Sequence, residues 1–310
     1  MKFLITGGAG TVGRDLTASL LAKGHRVRVL DRDTTAFGGV REESLELVAG
    51  RLEDARIVRE ALCGIDVVVH LAWSFSDDPL ELLESDLKAH VTLLEASAAA
   101  QVGRFLYTST AVVYGKPLRT PLTEDAPCVV EDARKPFYAI AKLTAEKLAL
   151  ALGRARGLPV SVFRFWWSYG GRIGGRHLRD LIAAARSGRP LRVPEGAGGS
   201  FLDHDDLAHA VLLAASREES VGNVFNLATL YLEWKEIAGI VLRITESSSR
   251  LDVVPSAAWD GAAFLADPWD LSTAKAERLL GFRSLFDPLA ARRRLEGAIG
   301  RCREEMPAAG

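Results

Sequence analysis

The sequence predicts an α/β protein: a doubly wound parallel sheet with a second, smaller unit built mostly from the C-terminal part. Three observations predict it. Short apolar runs alternate with helically spaced segments as far as Arg164, glycines stand where the first strand turns into the first helix, and Asp31 closes the second apolar run.

The first element is Lys2-Phe3-Leu4-Ile5, a short buried strand. Residues 14–23 then place Leu16, Leu20 and Leu21 at helical spacing, so Thr6-Gly7-Gly8-Ala9-Gly10-Thr11-Val12-Gly13 is a strand-to-helix turn. Such a turn lets a dinucleotide pyrophosphate rest on backbone N–H groups and on the positive end of the helix dipole, which nominates Gly7, Gly10, Thr11, Val12 and Gly13. The alternating run from His25 to Leu30 is a second parallel strand. Asp31 at its end can accept hydrogen bonds from ribose hydroxyls and would repel a 2′-phosphate, favouring NAD over NADP. The adjacent Arg32 pulls the other way, since guanidinium pairs well with phosphate.

Strands are expected at residues 3–6, 26–30, 45–48, 67–70, 104–108 and 160–164, a helix at 206–216, and a strand at 224–227 returning to the same sheet. This Rossmann-type domain is expected to take residues 1–168 plus 206–230. A substrate-binding domain takes 169–205 plus 231–310, where Gly, Pro and Arg are more frequent. The glycine-rich run 195–200 reads as a surface turn, with a substrate lid as the alternative.

Two further patterns carry chemistry. Tyr138-Ala139-Ile140-Ala141-Lys142 puts a phenol and an ammonium on one helical face, and a neighbouring ammonium favours the phenolate. Leu106-Tyr107-Thr108-Ser109-Thr110-Ala111 runs from an apolar strand into hydroxyls that could bond a carbonyl or an alcohol.

Together these segments resemble the extended short-chain dehydrogenases/reductases, the NAD-dependent epimerase/dehydratase group, over nearly the whole chain. The resemblance includes Asp66 to Ala72, Leu93 to Ala96, Thr108 to Gly115, Arg164 to Gly170, Asp267 to Lys275 and Leu279 to Phe282. It implies an NAD-dependent enzyme acting by hydride transfer at a hydroxyl or carbonyl carbon of a sugar or nucleotide sugar, with Tyr138 as acid–base. It further implies Lys142 as the group that lowers the Tyr138 pKa and holds the nicotinamide ribose. The resemblance also implies Thr110 as the catalytic hydroxyl, with Ser109 the second candidate, and Leu71, Ala72 and the Leu52 backbone as cofactor contacts. By the same resemblance the helices at 86–100 and 138–154 pair across a two-fold axis in a homodimer.

The chain departs from the family pattern. Asp86 replaces an asparagine, Arg51 stands where an adenine-contacting Asp is common, and Trp167 replaces an asparagine that grips nucleotide sugars. Gly199 or Ser200 takes the place of an arginine. Arg172, Arg176, Arg179 and Arg192 could compensate or could form a solvated basic face. Trp73 and Phe75, after the fourth strand, could join Trp166 and Trp167 in an aromatic wall for substrate, with packing between domains as the competing reading of the tryptophan pair. These departures keep open a reductase of a smaller or more apolar carbonyl compound. A non-catalytic cofactor sensor is a third reading, disfavoured because a sensor needs no acid–base pair.

The 310 residues carry a net charge of −1 with no basic stripe, so nucleic acid is not an expected partner. Apolar runs are too short to span a bilayer. Cys63, Cys128 and Cys302 form neither a metal pattern nor an even disulfide framework, and Met1 leads directly into a strand, so the expected location is the cytoplasm. Asp203-His204-Asp205-Asp206 with His209 reads as a helix N-terminus rather than a metal cluster, and no metal is expected.

Overall fold

A computed structural model describes residues 1–40 and 42–305. Its strands in chain order are β1 (Lys2–Thr6), β2 (Arg26–Asp31), β3 (Leu45–Ala49), β4 (Val67–His70), β5 (Arg104–Thr108), β6 (Val160–Arg164), β7 (Trp167–Tyr169), β8 (Leu191–Pro194), β9 (Gly198–Asp203), β10 (Val224–Asn226), β11 (Leu230–Glu233), β12 (Leu251–Val254) and β13 (Pro268–Trp269). The helices are α1 (Thr11–Ala22), α2 (Ala55–Leu62), α3 (Pro79–Glu81), α4 (Lys88–Ala99), α5 (Pro136–Arg156), α6 (Arg176–Arg186), α7 (His204–Ser216), α8 (Trp234–Thr245), α9 (Ala274–Leu280) and α10 (Pro288–Glu305).

Seven strands form one sheet in the order β10-β6-β5-β4-β1-β2-β3, and every pairing in it is parallel. Side chains alternate between its faces. Phe3, Ile5, Val67, Val69, Leu106 and Phe163 pack toward α1 and α7. Leu4, Val68, Phe105, Tyr107 and Val162 pack toward α2, α4 and α5. Burial on both faces explains the apolar run Val67-Val68-Val69 of β4, and β6 is buried throughout even at Ser161 and Arg164. The strand order reverses between β1 and β4, so a crevice opens beyond their carboxyl ends.

A second sheet is centred on β9, with β7 and β13 parallel to it and β11 antiparallel. A separate pair, β12 and β8, lies beside it. The second core joins α6, α8 and α10 through Leu178, Ile182, Trp234, Ile237, Leu295 and Ile299.

Three expectations need correction. The helix expected over 86–100 is not uniform: α3 leads into a π-helical stretch, Leu82–Leu87, that contains Asp86, and the α-helix begins only at Lys88. The run at 195–200 is neither lid nor surface turn beyond Gly196. Gly198, Gly199 and Ser200 are buried in β9, where a Gly199 side chain would collide with the ring of Trp166. The helix expected from 206 starts at His204, with Asp203 accepting a hydrogen bond from the Asp205 amide as its N-cap.

Candidate active site

The crevice begins with backbone. Gly7 has φ +70°, and a Cβ there would lie 2.7 Å from the Ala72 backbone. A Cβ on Gly13 would lie 2.5 Å from the Gly7 carbonyl oxygen. The turn, α1 and the segment after β4 are therefore in close backbone contact, and Leu71 and Ala72 lie directly across from Gly7. Helix α1 starts after Gly10 with no side chain capping it. The amides of Thr11, Val12 and Gly13 at this end suit an anion. Asp31 accepts a hydrogen bond from the Ala9 amide at 2.9 Å, which fixes its carboxylate beside the turn. Arg32 is exposed, and Leu52 is partly buried against the core under α2.

At the ends of β4 and β5 the side chains take over. Helix α5 starts at Pro136, a residue suited to the first helical position, and carries Tyr138 and Lys142 on one buried face. The Asp77 carboxylate accepts the Tyr138 amide at 2.9 Å, and the Lys135 ammonium donates to the Phe75 carbonyl at 2.7 Å. These two bonds strap the 73–78 loop to the start of α5. Phe75 is 67% exposed with φ +57°, a rarely populated conformation for a bulky residue, and its ring stacks on Tyr138 with centroids 5.8 Å apart.

Lys142 is only 4% exposed. Its ammonium donates to the Thr108 carbonyl at 2.8 Å and lies 4.2 Å from the Trp73 ring centroid and 4.5 Å from that of Tyr107. Thr110 accepts the Val112 amide at 3.2 Å, capping a short 3-10 turn, while its hydroxyl proton remains available to a ligand oxygen. The buried Ser109 hydroxyl has no partner among the described residues. Tyr138, Lys142, Thr110 and Ser109 thus converge where β5 ends and α5 begins.

Electrostatics correct one expectation. Burial, and then the charge of Asp86, raise the Tyr138 phenol above its ordinary value, so in the free protein Lys142 does not bring it toward neutrality. Lys142 itself is lowered to about 7 by burial, partly offset by Glu146 and Asp86. Asp86 is raised by burial despite hydrogen bonds from the Ser74 amide at 3.1 Å and hydroxyl at 2.5 Å.

The tryptophans divide. Trp73 faces Lys142 rather than an open wall. Trp166 packs among Trp167, Phe201, Trp234 and Trp269, and Trp167 donates its indole N–H to the Gly174 carbonyl at 2.9 Å. Arg172 is exposed and pairs with Glu305 on α10 at 3.2 Å, not with the Tyr138 cluster. Tyr107 and His90, which close around Lys142, were not nominated by sequence. The alternation of β5 places Tyr107 on the α5 side, but no local pattern marks it as a partner of Lys142.

A model of the NAD dependent epimerase/dehydratase family matches residues 3–228. The chain belongs to the NAD-dependent epimerase/dehydratase family. It is 30% identical over 308 residues to a UDP-glucose 4-epimerase of Corynebacterium glutamicum, an alignment covering 91% of this chain and 90% of that protein. A dTDP-glucose 4,6-dehydratase of Streptomyces venezuelae, solved with NAD, superposes with a TM-score of 0.80 at 25% identity over 98% of each chain. The Bordetella bronchiseptica enzyme WbmG, also solved with NAD, has the same fold at a TM-score of 0.80 and 24% identity, over 98% of this chain and 94% of that one. The family member described here is accordingly an enzyme of the extended short-chain dehydrogenase/reductase type that uses NAD. Its residues fit that cofactor: the close-packed glycine turn, the uncapped start of α1 and the anchored Asp31 carboxylate offer pyrophosphate and ribose contacts that a Cβ at Gly7 or Gly13 would disturb. Among the described residues no helix is long and apolar enough to cross a membrane.

Proposed function

We propose that this enzyme oxidises and re-reduces a hydroxyl-bearing carbon of a sugar or nucleotide sugar. The convergence of Tyr138, Lys142 and Thr110 beyond the ends of β4 and β5, at the crevice where the strand order reverses, carries the reading. Bound NAD supplies the hydride acceptor and donor. Thr110 donates a hydrogen bond that orients the reacting oxygen. Tyr138 would act as the phenolate, which the positive nicotinamide of bound NAD would favour together with the Lys142 ammonium; its Oη would take the proton from the substrate hydroxyl and return it when the carbonyl is reduced, and Lys142 would hold the cofactor ribose. Exposed Phe75 bounds the crevice on the β4 side, and residues 169–205 plus 231–310 are the proposed substrate-binding part. The UDP-glucose 4-epimerase among its relatives supports a nucleotide sugar. Exposed Phe137 and Ile140 on α5 support a homodimer through that helix, which light scattering across a concentration series tests.

A specific observation favours a second reading, a smaller non-nucleotide carbonyl substrate. Gly199 and Ser200 present no cation, Trp166 covers β9, and Arg172, Arg176 and Arg192 pair with Glu305, Asp180 and Asp260. One experiment separates the two. The protein is purified, denatured, and its released nucleotide identified by chromatography and mass, and the native enzyme is then assayed with UDP-glucose and dTDP-glucose. Co-purifying NAD with turnover of a nucleotide sugar supports the first reading. Reversible cofactor uptake with reduction only of simple carbonyls supports the second. Tyr138→Phe should lower turnover by roughly 10²–10⁴-fold with cofactor binding retained; full activity in that variant refutes the assignment of the proton-transfer group.

A further inference from the structure

Among the described residues, no carboxylate is bonded to the buried Lys142 ammonium. Two acids act on it electrostatically, but both are committed elsewhere. Asp86 is held by the Ser74 amide and hydroxyl, and Glu146 makes hydrogen bonds of 2.9 and 2.6 Å to Arg164. The nearby imidazoles bring no countercharge. Burial and the lysine's own charge push His90 down to about 3 and His70 well below its ordinary value, so both are neutral. What surrounds the ammonium is one carbonyl, that of Thr108, and the faces of Trp73 and Tyr107 at 4.2 and 4.5 Å. An aromatic face attracts a cation through its quadrupole, most strongly for tryptophan and more so out of water.

The two rings are not there for their polar atoms. The Trp73 indole N–H and the Tyr107 hydroxyl are buried and have no hydrogen-bond partner among the described residues. Buried tryptophan and tyrosine ordinarily seat those groups, and leaving them unmade is costly. Here the ring planes face the lysine instead, and His90, 4.7 Å from Tyr107 and 6.4 Å from Trp73 between centroids, packs against both rings.

We propose that Trp73, with Tyr107, forms an aromatic cradle that positions the Lys142 ammonium beside Tyr138, making Trp73 a positioning residue rather than part of a substrate wall. This rests on the reading of Tyr138 and Lys142 as the proton-handling pair. The cradle attracts the charged form of the lysine while excluding water. An aliphatic residue, which lacks the π face, makes the ammonium harder to maintain, and a smaller aromatic restores part of the attraction. Asp86, Glu146, His70, His90, Tyr107 and Tyr138 are the other titratable groups around the lysine, and the substitution leaves all of them in place.

The test needs no substrate. The full-length enzyme is labelled with ¹³C at the lysine ε-carbon, the Lys142 resonance is assigned by its loss in Lys142→Arg, and its titration is followed in the wild type, Trp73→Phe and Trp73→Leu. Trp73→Leu should lower the midpoint by about one pH unit, a tenfold change in the acid constant, with Trp73→Phe recovering at least half of that. Trp73→Met replaces the leucine variant if that one does not fold. An unchanged midpoint, a raised one, or a phenylalanine variant no better than leucine overturns the cradle. Failure of the functional reading shows separately, as absence of turnover in the wild type whatever the titration gives.

Discussion

Two buried cations on the same side of the sheet have opposite surroundings. Arg164, at the end of β6, meets Glu146 through two hydrogen bonds at 2.9 and 2.6 Å, and its guanidinium lies 4.8 Å from the ring centroid of Tyr114. Burial works against its charge, and the Glu146 carboxylate outweighs burial, so Arg164 is held firmly protonated. Lys142, one helical turn before Glu146 on α5, has no such partner among the described residues and is lowered to about 7 by burial. The hydrogen-bonded pair at 164 and 146 joins α5 to β6. The lysine is held by the Thr108 carbonyl and two ring faces. A buried charge with its counter-ion in place is architecture; one held by a carbonyl and two rings is poised for chemistry.

Three substitutions break or sharpen that contrast. The largest effect is expected from Lys142→Met: turnover should fall by two orders of magnitude or more, while stability rises. The rise has a pH signature. Lys142 titrates near 7 in the folded chain and at its ordinary value of 10.5 when unfolded, so between those values the unfolded chain binds more protons and stability climbs with pH. The cost of the buried charge is complete below about 7 and is relieved toward 10.5, so the methionine variant should gain more Tm at pH 6 than at pH 10. An equal gain at both pH values contradicts a depressed lysine. Next, Glu146→Ala strands Arg164 and should cost ~3–5 kcal/mol in urea unfolding. Restoring most of that loss with Arg164→Met in the same chain confirms that the stranded charge was responsible. The smallest effect is expected from Asp86→Asn. Removing the charge that helps raise Tyr138 should move the acidic limb of the pH–rate profile to lower pH by up to about one unit, with little change in Tm. A limb that stays put means that Asp86 does not communicate with the phenol.

Much of this contrast was invisible in the sequence, for a physical reason. The spans of β4, β5 and β6 were legible because parallel strands buried on both faces are mostly apolar, and that demand is local. The spacing of Tyr138 and Lys142 was legible because four residues on a helix set a shared face whatever the surroundings. What surrounds that face was not. Trp73 follows β4 and Tyr107 sits in β5, and only the packing of those elements directs both rings to one ammonium, with His90 of α4 packed against them. The π-helical turn holding Asp86 and the burial of Gly198 to Ser200 escaped for the same reason. The glycine-rich composition of that run reads as a turn, yet Trp166 occupies the space beside it and the run pairs as a strand.

The sequence by itself determined the sheet, the glycine turn with its acidic neighbour, and the phenol–amine pair, because each follows from strand period, helix period or the steric freedom of glycine. The tertiary structure decided which charges are paired and which are left responsive. A buried group's charge state depends on partners brought in from distant segments, and on how much water they exclude, which no local pattern records.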